Sequence, residues 1–161
     1  MRNSVKAYFR PNNSLPMSQG TRSHQLAMYI VYEAPLQMLS DNPTAYMKEQ
    51  ESTDFIAKIP TVFDETVALG GKVGEYVAIA RQKGDTWYVG AMSNWDSRDI
   101  TIDLSFLGTG NFEGEVFKDG INADRDATDY KKEIIKVASH DKLTVHLSNG
   151  GGWAARIYPA K

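Results

Sequence analysis

Residues 76–92 read YVAIARQKGDTWYVGAM, two apolar runs on either side of the turn Lys83-Gly84-Asp85. Such runs around a short glycine-containing turn predict a β-hairpin. Further short strands are predicted downstream, over 98–104, 112–118, 130–137, 142–147 and 153–158. Short strands separated by turn residues, with no helical segment between them, indicate an antiparallel sandwich of two sheets.

The sequence changes character upstream of residue 60. Residues 1–19 carry prolines and short polar residues that favour a loop. A helix is predicted from about Gly20 to Leu39, and its stretch from Leu26 onward is apolar on nearly every face. Pro35 is expected to kink this helix or end it early, because proline removes a backbone hydrogen bond. A helix that is apolar all round should be buried on both sides, and nothing in the first 60 residues could cover both.

The pattern therefore predicts a mainly β protein, an antiparallel two-sheet β-sandwich preceded by a loop and one long helix. Two short helices, over 44–48 and 52–57, lead into the sandwich. The expected division is into residues 1–58 and residues 59–161. A loop, one doubly buried helix and a whole sandwich are what remains when a chain is cut inside the domain before the sandwich. On this interpretation Met1 is an internal methionine.

Composition excludes several classes of function. The 161 residues carry a net charge of -2 with scattered basic residues, so the basic stripe of a nucleic-acid-binding protein is missing. No apolar run approaches the ~20 residues that a membrane span needs, and no signal peptide is recognisable. Cysteine is absent and the three histidines lack metal-ligand spacing, so we expect no metal or cofactor within this chain.

Seven runs in collinear order carry a family resemblance. They are PMSQGTRSHQLAMY (16–29), PLQMLSD (35–41), IPTVFDET (59–66), GEYVAIAR (74–81), WYVGAM (87–92), FKDGINAD (117–124) and GGGWAAR (150–156). Together they resemble the C-terminal end of glycoside hydrolase family 97, and they cover nearly the whole chain.

The resemblance implies a parent enzyme that acts on α-glucosides or α-galactosides. Its expected plan is an N-terminal β-sandwich, a (β/α)8 barrel with calcium in the active site, and a C-terminal β domain. An oligosaccharide substrate and a periplasmic or outer-membrane location follow from the same resemblance. The predicted helix is then the last barrel helix, and residues 1–19 are the loop that feeds it.

The family's catalytic carboxylates and calcium ligands lie upstream of the region that this chain resembles. No position of this sequence matches them, so the chain should be a structural accessory region that lacks its catalytic barrel and is inactive by itself. An independent carbohydrate-binding β-sandwich module is the alternative.

Gln19, Arg22 and His24 are the candidate substrate-binding residues. In a TIM-type barrel the loops that precede the helices lie on the catalytic face, which would place these three side chains at the rim of a sugar pocket. The alternative is that they cap and pack the start of the helix.

Other carboxylates have structural interpretations. Asp64 and Glu65 are adjacent and would point to opposite sides of an extended chain, so they cannot form a catalytic pair alone. Glu33 lies in the apolar helix and is expected to have a hydrogen-bonded structural role against the barrel, because a buried carboxylate needs a partner or a raised pKa. The segment 119–126 is rich in oxygen ligands, which indicates either a turn held by Asx side chains or a calcium site.

Two surface features complete the expectations. Trp87 and Trp153 should belong to the core, whereas Trp95 lies in a turn and is the candidate for stacking on a sugar ring. Without a barrel the helix should leave an apolar face bare, and we expect self-association through it. That face is made up of some combination of Leu26, Met28, Tyr29, Ile30, Val31 and Leu36.

Overall fold

The computed structural model describes residues 2–14, 16–34, 36–39 and 41–160. The first elements in chain order are β1 (Asn3–Ser4), β2 (Ser18–Gln19), α1 (Arg22–Val31), α2 (Pro43–Met47) and α3 (Gln50–Ala57). The strands that follow are β3 (Glu65–Lys72), β4 (Tyr76–Lys83), β5 (Thr86–Ser93), β6 (Arg98–Asp103), β7 (Asn111–Asp119), β8 (Tyr130–Ala138), β9 (Lys142–Leu147) and β10 (Gly152–Pro159).

The strands of the described residues form one large and two small sheets. The large sheet has six antiparallel strands in the order β3-β4-β5-β10-β7-β8, and β6 pairs with β9 in a separate antiparallel sheet. β1 and β2 pair in parallel. The predicted mainly β, antiparallel fold is therefore confirmed.

Both faces of the large sheet are covered, because successive side chains of a strand point to opposite faces. On one face Val89, Ala155 and Ile157 lie in a core shared with residues of β6 and β9 such as Ile102 and Leu147. Trp87 and Trp153 belong to the same core, as predicted.

The other face of the sheet holds the helices. Its side chains pack in a second core with α1 and α3, which consists of Leu26, Ala27, Ile30, Phe55, Ile59, Tyr88, Met92, Phe117 and Ala154. At Gly90 the helix comes so close that an added Cβ would lie 3.0 Å from Ile30 Cβ and 3.1 Å from the Ala27 carbonyl oxygen. The molecule thus has three layers: helices, large sheet and small sheet. The division at residue 58 stays a prediction, since the helical part and the sheet share this core.

α1 is shorter than predicted, because it ends at Val31 and not at Leu39. Its C-cap, Tyr32, has an extended backbone. Pro35, on which the sequence argument depended, lies outside the described residues. A proline at that position has no N–H to donate to the Val31 carbonyl, as a continuing helix would require. Arg81 Nη2 donates to that carbonyl at 3.0 Å instead.

The segment that follows α1 leaves apolar side chains bare, which agrees with the expectation for this chain without a barrel. Leu26 and Ile30 are fully buried against the sheet, but Leu36 and Met38 are each 79% exposed. Glu33 is also exposed in this chain, and its predicted role against the barrel stays a prediction. Among the described residues, none of the helices has the length and apolar character needed to cross a membrane.

Candidate functional site at the helix–sandwich junction

The N-terminus of α1 rests on the loop between β9 and β10. Thr21 is the N-cap, and its Oγ1 accepts from the His24 backbone N–H at 3.1 Å, which is a favoured cap for a helix start. The Thr21 backbone N–H donates to the Gly150 carbonyl oxygen at 2.9 Å. The cap thus joins the first turn of the helix to the sandwich.

Asp119, the last residue of β7, is the carboxylate that holds the junction together. Its Oδ1 accepts from Thr21 Oγ1 at 2.6 Å. Its Oδ2 accepts from the backbone N–H groups of Ser148 at 2.9 Å and Gly152 at 3.1 Å. Burial raises the pKa of Asp119, while these three donors and nearby His24 oppose the rise. With three bonds made inside the protein, the carboxylate serves to join elements and not to act on a substrate.

His24 packs against the glycine run at residues 150–152. Its Nδ1 lies 3.0 Å from the Gly151 carbonyl oxygen, which can only accept, so Nδ1 carries a proton. Burial lowers the pKa of His24, and the bond to Gly151 and the charge of Asp119 oppose the decrease. The chain bends before the last strand, since Gly150 has a φ of 66° and β10 begins at Gly152.

Arg22 lies at the centre of a second, neighbouring network and is only 1% exposed. Its Nε donates to Asn3 Oδ1 and its Nη1 to Glu49 Oε2, both at 2.8 Å. Its backbone N–H donates to the Ala127 carbonyl oxygen at 2.7 Å. Arg22 therefore connects β1, α1, the start of α3 and the loop after β7.

The structure does not bring the three predicted substrate-binding side chains together in one pocket. Gln19 is exposed on β2, Arg22 is enclosed by Asn3 and Glu49, and His24 faces Gly151. These contacts agree with the alternative of capping and packing. That any of the three touches a sugar stays a prediction.

The remaining sequence candidates have structural contacts. Asp64 has the predicted structural role, because its carboxylate accepts from Lys83 Nζ at 2.7 Å and from the Gly84 N–H at 2.9 Å at the β4–β5 turn. Such bonds lower the pKa of Asp64. The ring of Trp95 is half-buried and lies so close to Gly150 that a Cβ there would be 2.5 Å away. One face of that ring is therefore occupied by the protein itself.

The loop after β7 has the hydrogen bonds of a turn. Asp129 Oδ2 accepts from the Asn122 N–H at 2.8 Å, and Asp126 Oδ1 accepts from the Thr128 N–H at 2.9 Å. In the part of the chain that the structure describes, no three His, Asp or Glu side chains come together in a way that could hold a metal ion.

Comparison of this chain with known proteins gives matches to one family. Residues 62–158 match the family model described as "Glycosyl-hydrolase 97 C-terminal, oligomerisation". The chain is 54% identical over 157 residues to a retaining alpha-galactosidase of Bacteroides thetaiotaomicron, a match that covers 98% of this chain and 24% of that protein. It is 26% identical over 149 residues to a probable retaining alpha-galactosidase of Streptomyces bingchenggensis, covering 92% and 22%.

Solved structures agree with this relation. A glycoside hydrolase family 97 enzyme from Pseudoalteromonas sp. strain K8, solved in complex with acarbose, is 36% identical with a TM-score of 0.85 over 88% of this chain and 23% of that one. A β-arabinopyranosidase is 26% identical with a TM-score of 0.75 over 91% and 23%. The chain thus spans about a quarter of the length of the curated relatives it matches. Because the family model matches more than half of the chain, the chain belongs to glycoside hydrolase family 97, in the region that the family describes as C-terminal and oligomerising.

Proposed function

We propose that this chain is the C-terminal, oligomerising part of a retaining α-galactosidase of family 97. The observation that carries the proposal is the 54% identity to the Bacteroides thetaiotaomicron enzyme, which extends over 98% of the chain and so includes α1 and its junction with the sandwich. α-Glucosides are the second candidate substrate class, on the family resemblance. An oligosaccharide substrate, calcium in the active site and a periplasmic or outer-membrane location belong to the same proposal for the parent enzyme.

The role of the chain in that parent is to support the catalytic barrel. An apolar groove of about 380 Å³ runs beside α1 and is lined by Met28, Tyr29, Tyr32, Leu36 and Met38, among others. The proposed occupant of this groove in the parent is the barrel, because the curated relatives are about four times as long as the matched segment. The hydrogen-bonded junction at Asp119 then fixes the sandwich to the helix that completes the barrel.

A hybrid enzyme tests this proposal directly. The matching 157 residues of the Bacteroides thetaiotaomicron enzyme are replaced by this chain. We expect the hybrid to hydrolyse nitrophenyl α-galactoside within about tenfold of the parent's kcat/KM, a loss of about 1.4 kcal/mol or less in transition-state stabilisation. The parent enzyme without this segment is the negative control, and the isolated chain should hydrolyse neither the α-galactoside nor the α-glucoside.

A soluble, folded hybrid with no activity would contradict the proposed supporting role. Turnover by the isolated chain, lost on a point substitution within it, would contradict the assignment of the catalytic groups to the rest of the parent.

Self-association of the isolated chain is expected through the exposed segment beside α1. Leu36 and Met38 are each 79% exposed, and clustered apolar side chains of this kind tend to be covered by association. The double substitution Leu36→Ser/Met38→Ser should remove assemblies larger than a dimer, as measured by light scattering over a concentration series. The matched double substitution Ile121→Ser/Met47→Ser, at two residues that are exposed elsewhere, should leave those larger assemblies unchanged. If both double variants behaved alike, the groove would not be the associating surface.

A further inference from the structure

The six-stranded sheet has two edges, and they differ in how they are protected. β8, at one edge, exposes Lys131, Lys132 and Lys136 along its length. Lysines on an edge strand discourage pairing with another chain. β3, at the other edge, carries no charged residue between Glu65 and Lys72, where the sequence reads TVALGG.

β3 is anchored to the molecule on one side only. It pairs with β4, and no other strand of the described residues pairs with it, so the backbone groups of its outer side form an open row. Val67 and Leu69 are half-buried against the main core, which holds the strand in place. The register with β4 shifts between Ala68 and Gly70, so the ladder is regular on either side of that bulge. The outer edge of β3 is therefore unpaired over two short regular segments, 65–68 and 70–72, that meet at the bulge.

The charges of β3 favour self-pairing in one direction. Its charged residues, Glu65 and Lys72, lie at opposite ends of the strand and have opposite signs. When two copies pair antiparallel about a two-fold axis, each Glu65 meets the Lys72 of the other copy, whereas parallel pairing would place like charges together. Val62 and Val73, both exposed, flank the strand, so each Val62 would lie at the same end of the pair as the Val73 of the other copy.

We propose that the β3 edge is the surface through which a second copy of this chain binds, antiparallel, so that the two large sheets become continuous. This inference rests on the proposed function, because the family description assigns oligomerisation to this region. The geometry adds which strand forms the interface, in which direction the two copies of that strand run, and which residues specify this pairing.

Substitution at the centre of the strand tests the surface. The whole chain with Leu36→Ser/Met38→Ser provides the background, so that only the closed dimer is measured by sedimentation equilibrium. Ala68 is exposed, and Ala68→Lys places two lysines next to the proposed axis. We expect the dimer Kd to rise about tenfold or more. Ile134→Lys, the same change of charge at an exposed position of β8, should leave the Kd unchanged.

A charge swap tests the direction of pairing. Glu65→Lys should raise the dimer Kd about tenfold by setting two like-charged pairs at the interface, and adding Lys72→Glu should restore it. Circular dichroism of each variant checks folding, since Lys72 also pairs with Glu75 within its own chain. An unchanged dimer in Ala68→Lys and Glu65→Lys would overturn the β3 surface and leave oligomerisation itself intact. A background chain that stays monomeric at every concentration would overturn oligomerisation as well.

Discussion

Gly152→Ala should destabilise the chain by about 3 kcal/mol, because the new methyl group would collide with backbone and not with a movable side chain. A Cβ at this position would lie 2.3 Å from His24 Cα, 2.4 Å from His24 N and 2.7 Å from the Ser23 carbonyl carbon. These atoms form the first turn of α1, so the helix as a whole would have to move away from the sheet. That movement would also lengthen the bond from the Gly152 N–H to Asp119.

Chemical denaturation of Gly152→Ala and the unchanged chain measures this difference. Gly70→Ala is the matched control, since the nearest atom to its new methyl group is the Tyr76 hydroxyl oxygen at an ordinary 3.6 Å. The control should change the free energy of unfolding by less than about 1 kcal/mol. Equal effects of the two substitutions would mean that α1 does not rest on the glycine run.

The strands could be predicted from the sequence wherever one face is buried and the other is not. β6 shows this well, because Ile100 and Ile102 are buried while their neighbours are polar. β3 was missed, since Gly70 and Gly71 break the alternation and the bulge shifts its register. β5 is buried along its whole length and gave no alternation, and only its apolar run and its turn with β4 identified it.

The length of the helix was overestimated for a related reason. Apolar residues continue from Val31 to Leu39, and hydrophobicity alone cannot tell a helix from an apolar segment that leaves the sheet. Pro35 was the correct warning in the sequence, because proline cannot continue the backbone bonds of a helix. Leu36 and Met38, beyond Val31, are exposed, as the proposed contact with the barrel of the parent enzyme requires.

The junction could be located from the sequence but its chemistry could not. His24 and the glycine run at residues 150–152 lie far apart in the sequence, and nothing local indicates that they touch. Asp119 was considered only as a member of a turn or metal loop, because its partners Thr21 and Ser148 lie 98 and 29 residues away in the chain. From the sequence Arg22 cannot be told from a surface arginine, because its burial depends on hydrogen bonds to Asn3 and Glu49, which lie far from it in the chain. Side chains whose role depends on distant partners leave no periodic signal.

Asp119→Ala should destabilise the chain by about 3 kcal/mol or more, because three buried donors would lose their acceptor together. These donors are the Thr21 hydroxyl and the backbone N–H groups of Ser148 and Gly152.

Asp119→Asn is the informative control. Its amide oxygen can accept from both N–H groups while its amide nitrogen donates to Thr21 Oγ1, so the expected loss is within about 1 kcal/mol. Equal losses in the two variants would show that the negative charge matters more than the hydrogen bonds.

The pH dependence separates charge from hydrogen bonding at Asp119. Burial raises the pKa of Asp119 above its ordinary value of 3.8, so the folded state retains a proton that the unfolded state has already lost. Its contribution to stability is therefore largest below pH 3.8 and declines as the pH rises through the folded-state pKa.

His24 acts in the opposite direction, because burial lowers its pKa from 6.5 and the stability it gives above that pH is lost on acidification. The Asp119 charge opposes this lowering, so Asp119→Asn should lower the pKa of His24 further. The raised pKa of Asp119 and its effect on the pKa of His24 change the stability difference between the two proteins in the same direction. As the pH falls from 7 to 4, the unchanged chain should gain stability relative to Asp119→Asn. Urea unfolding of both proteins across that range measures the difference, and a difference that is constant with pH would mean that Asp119 is not desolvated at the junction.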